Sequence, residues 1–398
     1  MTSEWHEVPL RELVGYISKG IAPSYAEEAS ETTIRVLNQK CNRNFRISYG
    51  DSRLHDTLKK KVPPERYVKP DDILINSTGA GTAGRIAQIE DVPSATTIDG
   101  HMILIRSNGK VTQKFLGYAL KAHQWEVLQL DEGSTGQTEL NRDRLLDEIM
   151  INYPVSFDEQ NAIVGTLESI DRKLIVNKEI NDNLQQQLFS LYENMATASP
   201  CLKEYTLSNL CDFQEGYVNP PQTHPEYFDG EVKWLRAVDI NESFIIETSR
   251  TLTKAGFESA KKSALLFEPN TIAISKSGTI GRLGIIADYM CGNRAVINIA
   301  PHDTNMLAFI YCFLKSKQRE FPDMAVGSVQ KNLYVSLLEP LSVSIPDNES
   351  LTAFNDVGAS ILGMIHNNCV ENTDLANLRD TILPKLMSGE IDVSSVLL

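Results

Sequence analysis

The chain has 398 residues, 42% hydrophobic and 7% aromatic, which is typical of a globular protein with roughly two or three domains. No run of eighteen apolar residues occurs, and residues 1–19 lack an apolar core behind a basic start, so neither a membrane span nor a signal peptide is expected. The six cysteines are scattered without Cys-x-x-Cys spacing. This pattern argues against a zinc site and indicates a reducing, cytoplasmic setting.

The net charge of −14 is distributed unevenly. Residues 151–200 carry 3 Lys and Arg against 7 Asp and Glu, and residues 346–398 carry 2 against 8. The ratios are 19 to 21 in residues 1–150 and 14 to 16 in residues 201–345, so these two segments are nearly neutral. Acidic segments repel a phosphate backbone, whereas nearly neutral ones can still present basic loops. The two nearly neutral segments are therefore the candidates for contact with nucleic acid.

In chain order, each predicted element of the first half returns in the second. Strands are predicted at residues 34–37 and 102–106 and a short helix at 114–129; their counterparts lie at 232–235, 295–299 and 306–320. The offset of about 190 residues indicates an internal repeat in which a globular unit is followed by a long helix. The predicted fold class is α+β: two similar globular domains separated by two long helices that pair as a coiled coil, with a pseudo-two-fold internal repeat.

Two glycine-rich turns are the closest match between the halves. Residues 73–85 read Ile-Leu-Ile-Asn-Ser-Thr-Gly-Ala-Gly-Thr-Ala-Gly-Arg, and residues 271–282 read Thr-Ile-Ala-Ile-Ser-Lys-Ser-Gly-Thr-Ile-Gly-Arg. The first contains G-x-G-x-x-G, which binds a dinucleotide only when a helix follows. Residues 85–89 instead read as a strand, so both segments are predicted to be hairpins.

The long helices are predicted from apolar residues that recur at alternating steps of four and three. A period of 3.5 over several heptads is typical of a helix that packs against a partner helix. In the first helix these residues are Ile163, Leu167, Ile170, Leu174, Leu184, Leu188, Leu191 and Met195. In the second they are Leu351, Phe354, Ile361, Ile365, Leu375, Ile382 and Leu386.

Four asparagines occupy matching positions of this apolar seam: Asn177 and Asn181 in the first helix, Asn368 and Asn372 in the second. Buried seam asparagines cost stability but set register, because only one alignment lets the amides satisfy each other. The alternative is that the seam opens at mid-length and these residues face water. Ser156 and Glu159 are spaced as a capping box for the first helix, and Pro384 is expected to kink or end the second.

Two other motifs suggest catalysis only weakly. Asn219-Pro-Pro-Gln222 resembles the signature of adenine methyltransferases, but Gln222 cannot stack on a base as the aromatic residue of that signature does, so a proline-rich turn is predicted. Asp171-Arg-Lys173 is part of a nuclease metal motif without a partner carboxylate, and it is interpreted as a solvated helix face.

The glycine hairpins and two polar segments remain as candidate DNA-binding sites. Glycine lets the backbone approach a ligand, and hydroxyl, amide and guanidinium groups suit phosphates or base edges. The candidates in the first half are Ser77, Thr78, Thr82, Arg85, Ser134, Thr135 and Gln137. Those in the second are Ser275, Lys276, Ser277, Thr279, Arg282, Ser328, Gln330, Lys331 and Asn332. The alternative is that both hairpins are only folding devices, with Arg85 and Arg282 paired internally.

Over essentially its whole length the chain resembles the specificity subunit of Type I restriction–modification systems. The specific pieces are Tyr153-Pro154-x4-Glu159-Gln160-x2-Ile163 and the tail Leu378-Arg379-x2-Ile382-Leu383-Pro384-x-Leu386-Met387-Ser388-Gly389-Glu390-Ile391. The resemblance implies that residues 1–153 and 201–345 are target-recognition domains, each reading one half of a bipartite site in double-stranded DNA. Residues 154–200 and 346–398 would be spacer helices, which the resemblance implies form an antiparallel coiled coil.

The resemblance also implies partners and an absence of catalysis. The helices would dock two methyltransferase subunits, which carry S-adenosylmethionine and the catalytic residues, and a translocating nuclease subunit can join them. The chain itself is then predicted to bind no cofactor or metal and to have no enzymatic activity. The alternatives are a self-sufficient DNA adenine methyltransferase or nuclease with degenerate motifs, or an adaptor that binds only protein.

Overall fold

The computed structural model describes residues 4–79, 81–132, 139–198, 203–328 and 330–393. It divides the chain into two compact units, one made of Met1–Asp171 and Asn377–Leu398 and the other of Arg172–Ala376. Each unit thus combines one globular part with adjoining segments of both long helices. The domain boundaries at residues 153, 200 and 345 stay a prediction.

The first unit is a mixed α/β structure. Its strands are β1 (Trp5–Pro9), β2 (Val14–Lys19), β3 (Tyr25–Ala26), β4 (Thr33–Leu37), β5 (Asn42–Arg43), β6 (Arg46–Ile47), β7 (Arg53–Asp56), β8 (Ile73–Asn76), β9 (Ile86–Gln88), β10 (Thr96–Ile98), β11 (Met102–Ser107), β12 (Asp131–Glu132), β13 (Glu139–Leu140) and β14 (Met150–Pro154). Its helices are α1 (Gln113–Ala122), α2 (Gln124–Leu128), α3 (Arg142–Glu148) and the start of α4 (Phe157–Ala198).

The second unit has the same kinds of element. Its strands are β15 (Lys203–Thr206), β16 (Cys211–Glu215), β17 (Phe228–Leu235), β18 (Phe244–Ile245), β19 (Thr251–Leu252), β20 (Ile272–Ser275), β21 (Leu283–Ile286), β22 (Cys291–Gly292), β23 (Val296–Pro301) and β24 (Ser342–Ile345). Its helices are α5 (Lys254–Glu258), α6 (Leu307–Lys317), α7 (Phe321–Met324), α8 (Val335–Leu338) and most of α9 (Asn348–Met387).

The internal repeat extends to the order of the strands. The larger sheet of the first unit runs β2-β11-β8-β9, and that of the second runs β16-β23-β20-β21 with β18 added at its edge. The smaller sheets, β10-β4-β7-β3 and β19-β17-β22, correspond in the same way, and β1-β14 matches β15-β24. Because central strands such as β8 and β20 are buried throughout, apolar runs on both copies specify this arrangement.

Aromatic packing joins the second unit's helices into one core. Phe309 of α6 lies 5.6 Å from Tyr192 of α4 and 6.4 Å from Phe354 of α9, measured between ring centroids. Edge contacts of this kind add to the stabilisation from buried area. The described part of the chain contains no helix long and apolar enough to cross a membrane.

Most predicted seam residues are buried or half-buried. The prediction is wrong at Leu191, which is 41% exposed, while the adjacent Tyr192 is only 9% exposed. Residue 192 is buried because its ring enters the aromatic cluster with Phe309 and Phe354, a contact that heptad spacing does not anticipate.

The predicted signals at the helix ends hold in part. At the start of α4, the Ser156 hydroxyl accepts the Glu159 backbone N–H at 3.4 Å. Helix α9 continues through Pro384 and ends at Met387, so the proline precedes the end by less than one turn.

Gln160, one of the residues that carry the family resemblance, ties α4 to its globular part. Its side chain is fully buried, and its Nε2 donates to the carbonyl of Pro154 at 2.9 Å. Its Oε1 accepts the backbone N–H of Thr112, the residue before α1, at 2.9 Å. The motif thus has a structural role in orienting the helix.

The four asparagines lie in the second unit and face each other across α4 and α9. Asn177 donates to Asn372 Oδ1 at 3.0 Å and to Glu371 Oε2 at 2.7 Å. Asn368 donates to Asn181 Oδ1 at 2.8 Å. Asn177 and Asn181 are buried, so these amides pair with each other rather than with water. That they set the register stays a prediction.

Asp171 corrects the prediction of a solvated helix face. Its carboxylate accepts from Tyr118 at 2.9 Å, from Lys121 at 3.2 Å and from Arg379 at 3.1 Å, and its side chain is 20% exposed. The interpretation as solvent-facing holds only for the next residue pair, Arg172 and Lys173, which are exposed. The three partners lie far away in sequence, so helical periodicity could not reveal them.

Candidate nucleic-acid interface

The first glycine turn, residues 77–85, connects the antiparallel strands β8 and β9. Ser77 is fully buried, and its hydroxyl donates to a main-chain carbonyl at 3.4 Å. Thr78 is half-buried, and its Oγ1 lies 2.7 Å from Nδ1 of His101. Thr82 is also half-buried, and its Oγ1 has no hydrogen-bond partner within the described ranges. Of these three hydroxyls, that of Thr78 lies nearest the surface, because the Thr82 oxygen is itself buried.

The second turn, residues 275–282, connects β20 and β21 in the same way. Ser275 is fully buried and its hydroxyl donates to the carbonyl of the turn residue Thr279 at 2.5 Å. Lys276 donates to Glu215 at 2.9 Å, and its Nζ lies 4.8 Å from the centroid of the Tyr334 ring. Lys276 is therefore an internally paired cation, and a DNA contact would have to compete with Glu215.

Glycine is required where each turn packs against a helix, α2 in the first unit and α7 in the second. Gly84 has φ +82° and Gly281 has φ +85°. A Cβ added at Gly84 would lie 2.9 Å from the carbonyl oxygen of Val127, and one at Gly281 would lie 3.0 Å from Cβ of Phe321. Both turns are thus held against a helix, which limits their movement.

Neither turn arginine has an acidic partner among the residues that the structure describes. Arg85 is half-buried and donates to the carbonyl of Gly81 at 3.1 Å, within its own turn. The guanidinium of Arg282 forms no hydrogen bond or ion pair within the same described residues. Ser277 is half-buried and Thr279 exposed beside it. Arg85 is thus bonded inside its turn and Arg282 is not, and contact of either turn with DNA stays a prediction.

The described residues at the end of each predicted polar segment pair with the glycine turn. In the first unit Thr78 forms a bridge with Glu139, and the backbone N–H of Leu140 donates to the carbonyl of Ser77 at 2.8 Å. In the second unit the backbone N–H of Leu333 donates to the carbonyl of Lys276 at 2.9 Å. Backbone hydrogen bonds therefore join each turn to the residue that ends its segment.

The exposure of the segment residues differs along the second copy. Ser328, Gln330 and Lys331 are exposed, and Asn332 is half-buried with its Nδ2 donating to the Gln330 carbonyl at 3.1 Å. The first copy's candidates Ser134, Thr135 and Gln137 lie outside the described residues.

Two polar residues outside the candidate sets of the hairpins and polar segments contact the first turn. Gln39 Oε1 accepts from Thr78 Oγ1 at 3.4 Å, and Nδ1 of His101 lies within hydrogen-bonding distance of the same hydroxyl. Neither belongs to a motif or a periodic pattern. They are brought to the turn by the ends of strands β4 and β10, a consequence of the sheet order.

The motifs that suggested catalysis have structural roles. The chain after Gly84 continues into strand β9 and not into a helix, as the dinucleotide motif would require. In the methyltransferase-like segment, Oε1 of Gln222 accepts from Arg250 at 3.0 Å. No group of three or more His, Cys, Asp or Glu side chains that could hold a metal ion occurs among the described residues.

Several cysteines are too buried to act as nucleophiles. Burial raises the pKa of Cys211, Cys291 and Cys312 to about 12 in each case. Burial also raises the pKa of Cys41. A thiol with such a pKa remains protonated at neutral pH, and the thiolate is the reactive form.

A duplicated module that presents arginine, amide and hydroxyl groups on glycine turns is typical of a protein that recognises a two-part target. Residues 2–186 and 202–373 match the family model described as Type I restriction modification DNA specificity domain. The chain belongs to this family, which confirms the resemblance seen in the sequence. The predicted α+β fold class with two similar globular parts and two long helices is confirmed as well.

Individual relatives agree with the family model. The chain is 25% identical over 373 residues to the Type I restriction enzyme MjaIX specificity subunit of Methanocaldococcus jannaschii, covering 88% of this chain and 84% of that subunit. It is 27% identical over 176 residues to the Type I restriction enzyme HindI specificity subunit of Haemophilus influenzae, and this match covers 43% of this chain and 38% of that subunit.

A solved structure has the same fold. The crystal structure of the S subunit of a Type I restriction–modification system from M. genitalium aligns with a TM-score of 0.56 and 17% identity. The alignment covers 97% of this chain and 96% of that chain. At this identity the likeness concerns the fold.

Proposed function

We propose that this chain is the DNA-recognition subunit of a Type I restriction–modification complex. Each globular domain reads one half of a bipartite, asymmetric site in double-stranded DNA. The observation that carries the proposal is the duplicated turn: each domain has an arginine, Arg85 or Arg282, on a glycine hairpin, and neither arginine has an acidic partner among the residues that the structure describes. Guanidinium groups at such positions suit guanine edges and phosphates.

In this proposal the chain supplies recognition and no catalysis. Two methyltransferase subunits would bring S-adenosylmethionine and the reacting groups, and a translocating nuclease subunit can join them in the cytoplasm. The high pKa of the buried thiols and the engagement of Gln222 by Arg250 support a non-catalytic role.

The long helices are the proposed docking surface for the methyltransferases. Helix α4 exposes 40% of Val176, 42% of Ile180 and 41% of Leu191, and α9 exposes 48% of both Val357 and Met364. Val176, Ile180 and Leu191 are spaced by four and eleven residues, which places them on one face of a helix. An apolar face on an otherwise acidic helix suits a protein partner and not DNA.

Methylome sequencing of the host tests the proposal most directly. We expect a two-part methylated motif with an unspecific gap, which disappears when the gene for this chain is deleted. A continuous motif, or a bipartite motif that survives the deletion, would contradict the assignment.

The enzyme and adaptor alternatives predict different results for the purified chain. A self-sufficient methyltransferase would methylate adenine when the lone chain is incubated with methyl donor and DNA. An adaptor for proteins alone would not retard randomised duplexes in a gel, with or without methyltransferase partners. We expect no methylation by the chain alone and retardation of duplex DNA by the complex.

A further inference from the structure

Arg53 in the first globular part lies over an aromatic ring. Burial raises the pKa of the Asp99 carboxyl, and the charge of Arg53 partly opposes this rise. Its Cζ is 3.6 Å from the centroid of the Tyr25 ring, and both side chains are exposed. Arg53 opposes Val36 in the β4–β7 pair, and Tyr25 opposes His55 in the β3–β7 pair. Within the described ranges, the guanidinium forms no hydrogen bond or ion pair.

The second globular part repeats this stack at the corresponding place. Cζ of Arg250 lies 4.1 Å from the centroid of the Phe228 ring. Phe228 is paired with Leu252, which lies two residues after Arg250. In the first globular part Tyr25 is likewise paired with His55, which lies two residues after Arg53. Arg250 is half-buried, and one arm of its guanidinium donates to Gln222 at 3.0 Å.

Backbone hydrogen bonds establish that the two positions are equivalent. The carbonyl of Leu37 accepts from Asp99 N at 2.9 Å, and that of Leu235 accepts from Asn293 N at 2.9 Å. Strands β4 and β17 are therefore equivalent and aligned at these leucines. Strand β7, which begins at Arg53, pairs antiparallel with β4, and strand β19, which begins just after Arg250, pairs antiparallel with β17. The short Ser-Arg dipeptides at 52–53 and 249–250 carry no motif that sequence analysis would single out.

The Arg53 stack lies at the same end of its domain as the glycine turn. Asn38 Nδ2 donates at 2.8 Å to the carbonyl of Asp51, two residues before Arg53. The next residue, Gln39, contacts the turn through Thr78. In the second domain Arg236 holds the position of Asn38 and donates at 2.5 Å to Ser249, the residue before Arg250.

We propose that Arg53 and Arg250 each bind a phosphate of the DNA backbone in their own half-site; the inference rests on the proposed function. A ring beneath the guanidinium holds its plane and leaves N–H groups at its edge to donate to phosphate oxygens. The Arg53 stack flanks its glycine turn, and Arg250 holds the equivalent position in the second domain. Contacts that flank the base-reading elements of an interface position the duplex without reading sequence.

Fluorescence anisotropy of the full-length chain with a pool of randomised duplexes, repeated over a salt series, tests the assignment. Arg53→Ala and Arg250→Ala should each weaken binding roughly five- to tenfold across the pool. Each should lower the slope of log K against log salt by about 0.9, and the double variant by about 1.8. Arg53→Lys keeps the charge and should retain the slope.

Arg172→Ala is the matched control, because Arg172 is an exposed arginine that belongs to helix α4 and to neither globular part. If this control and the alanine variants bind alike, with equal slopes, the phosphate contacts are overturned while the proposed function stands. If Arg53→Ala changes which sequences are selected from the pool, the arginine reads bases and the assignment to phosphate is overturned. If the wild-type chain binds no duplex, alone or with its methyltransferase, the proposed function fails too.

Discussion

Asp171 is a charged residue whose surroundings reverse the usual effect of burial on its pKa. Burial alone would raise that pKa, but Lys121, Tyr118 and Arg379 together lower it. A depressed carboxyl pKa contributes stability above the unfolded value of about 3.9, and this contribution is lost as pH falls through the folded value. The network therefore stabilises the first unit at neutral pH and weakens in acid.

We expect Asp171→Asn to lower the free energy of unfolding by about 3 kcal/mol at neutral pH, because it leaves Lys121 and Arg379 short of a counter-charge. Urea unfolding followed by circular dichroism measures this loss, and the difference from wild type should shrink below about pH 4. Asp182→Asn, an exposed change on the same helix, should stay within about 0.5 kcal/mol of wild type. A difference that is independent of pH would refute the carboxylate's role.

The turn arginines give a second prediction at the residue scale. Arg85→Ala should weaken recognition of one half-site and Arg282→Ala the other, each by about 1–3 kcal/mol if the guanidinium reads a base. Binding assays on duplexes altered in one half-site at a time measure the effect. Unchanged binding by either variant would remove that hairpin from the DNA interface.

At the scale of elements, the facing asparagines distinguish α4 and α9 from helices joined only by apolar contacts. Each amide has its partner on the opposite helix, so a shift of register would leave buried polar groups unpaired. Leucine pairs at the same positions would bury more apolar surface but would specify no alignment.

Asn177→Leu alone should destabilise the helix pair by about 1–3 kcal/mol, because Asn372 loses its partner. Adding Asn372→Leu should recover most of this loss, giving a favourable coupling in a double-mutant cycle of thermal unfolding. Asn183→Leu, at an exposed position of α4, serves as the control. Additive losses would show that the two amides act independently of each other.

At the scale of the whole molecule, the repeat makes each half a self-contained reading unit with its own sheets, turn and aromatic-stacked arginine. Replacing residues 1–153 by the equivalent domain of a relative should therefore change one half of the recognised motif and leave the other half intact. Methylome sequencing of a host with the exchanged gene measures both halves together. A change in both halves would contradict modular reading.

The sequence by itself determined the duplication, the heptad helices and the glycine hairpins. These features depend on local periodicity and turn chemistry, which involve only residues that are near each other in sequence. Family-specific residues such as Gln160 could be recognised in the same way, although their contacts could not.

Only the tertiary structure decided which side chains are buried and which partners they meet. Tyr192 takes the core position expected for Leu191, and Asp171, which was predicted to face solvent, lies at the centre of an ion network. Ser77 is buried in a turn that looked open to a ligand, and Arg53 meets Tyr25 across a sheet. Each outcome depends on residues distant in sequence, whose positions follow from strand order and helix pairing.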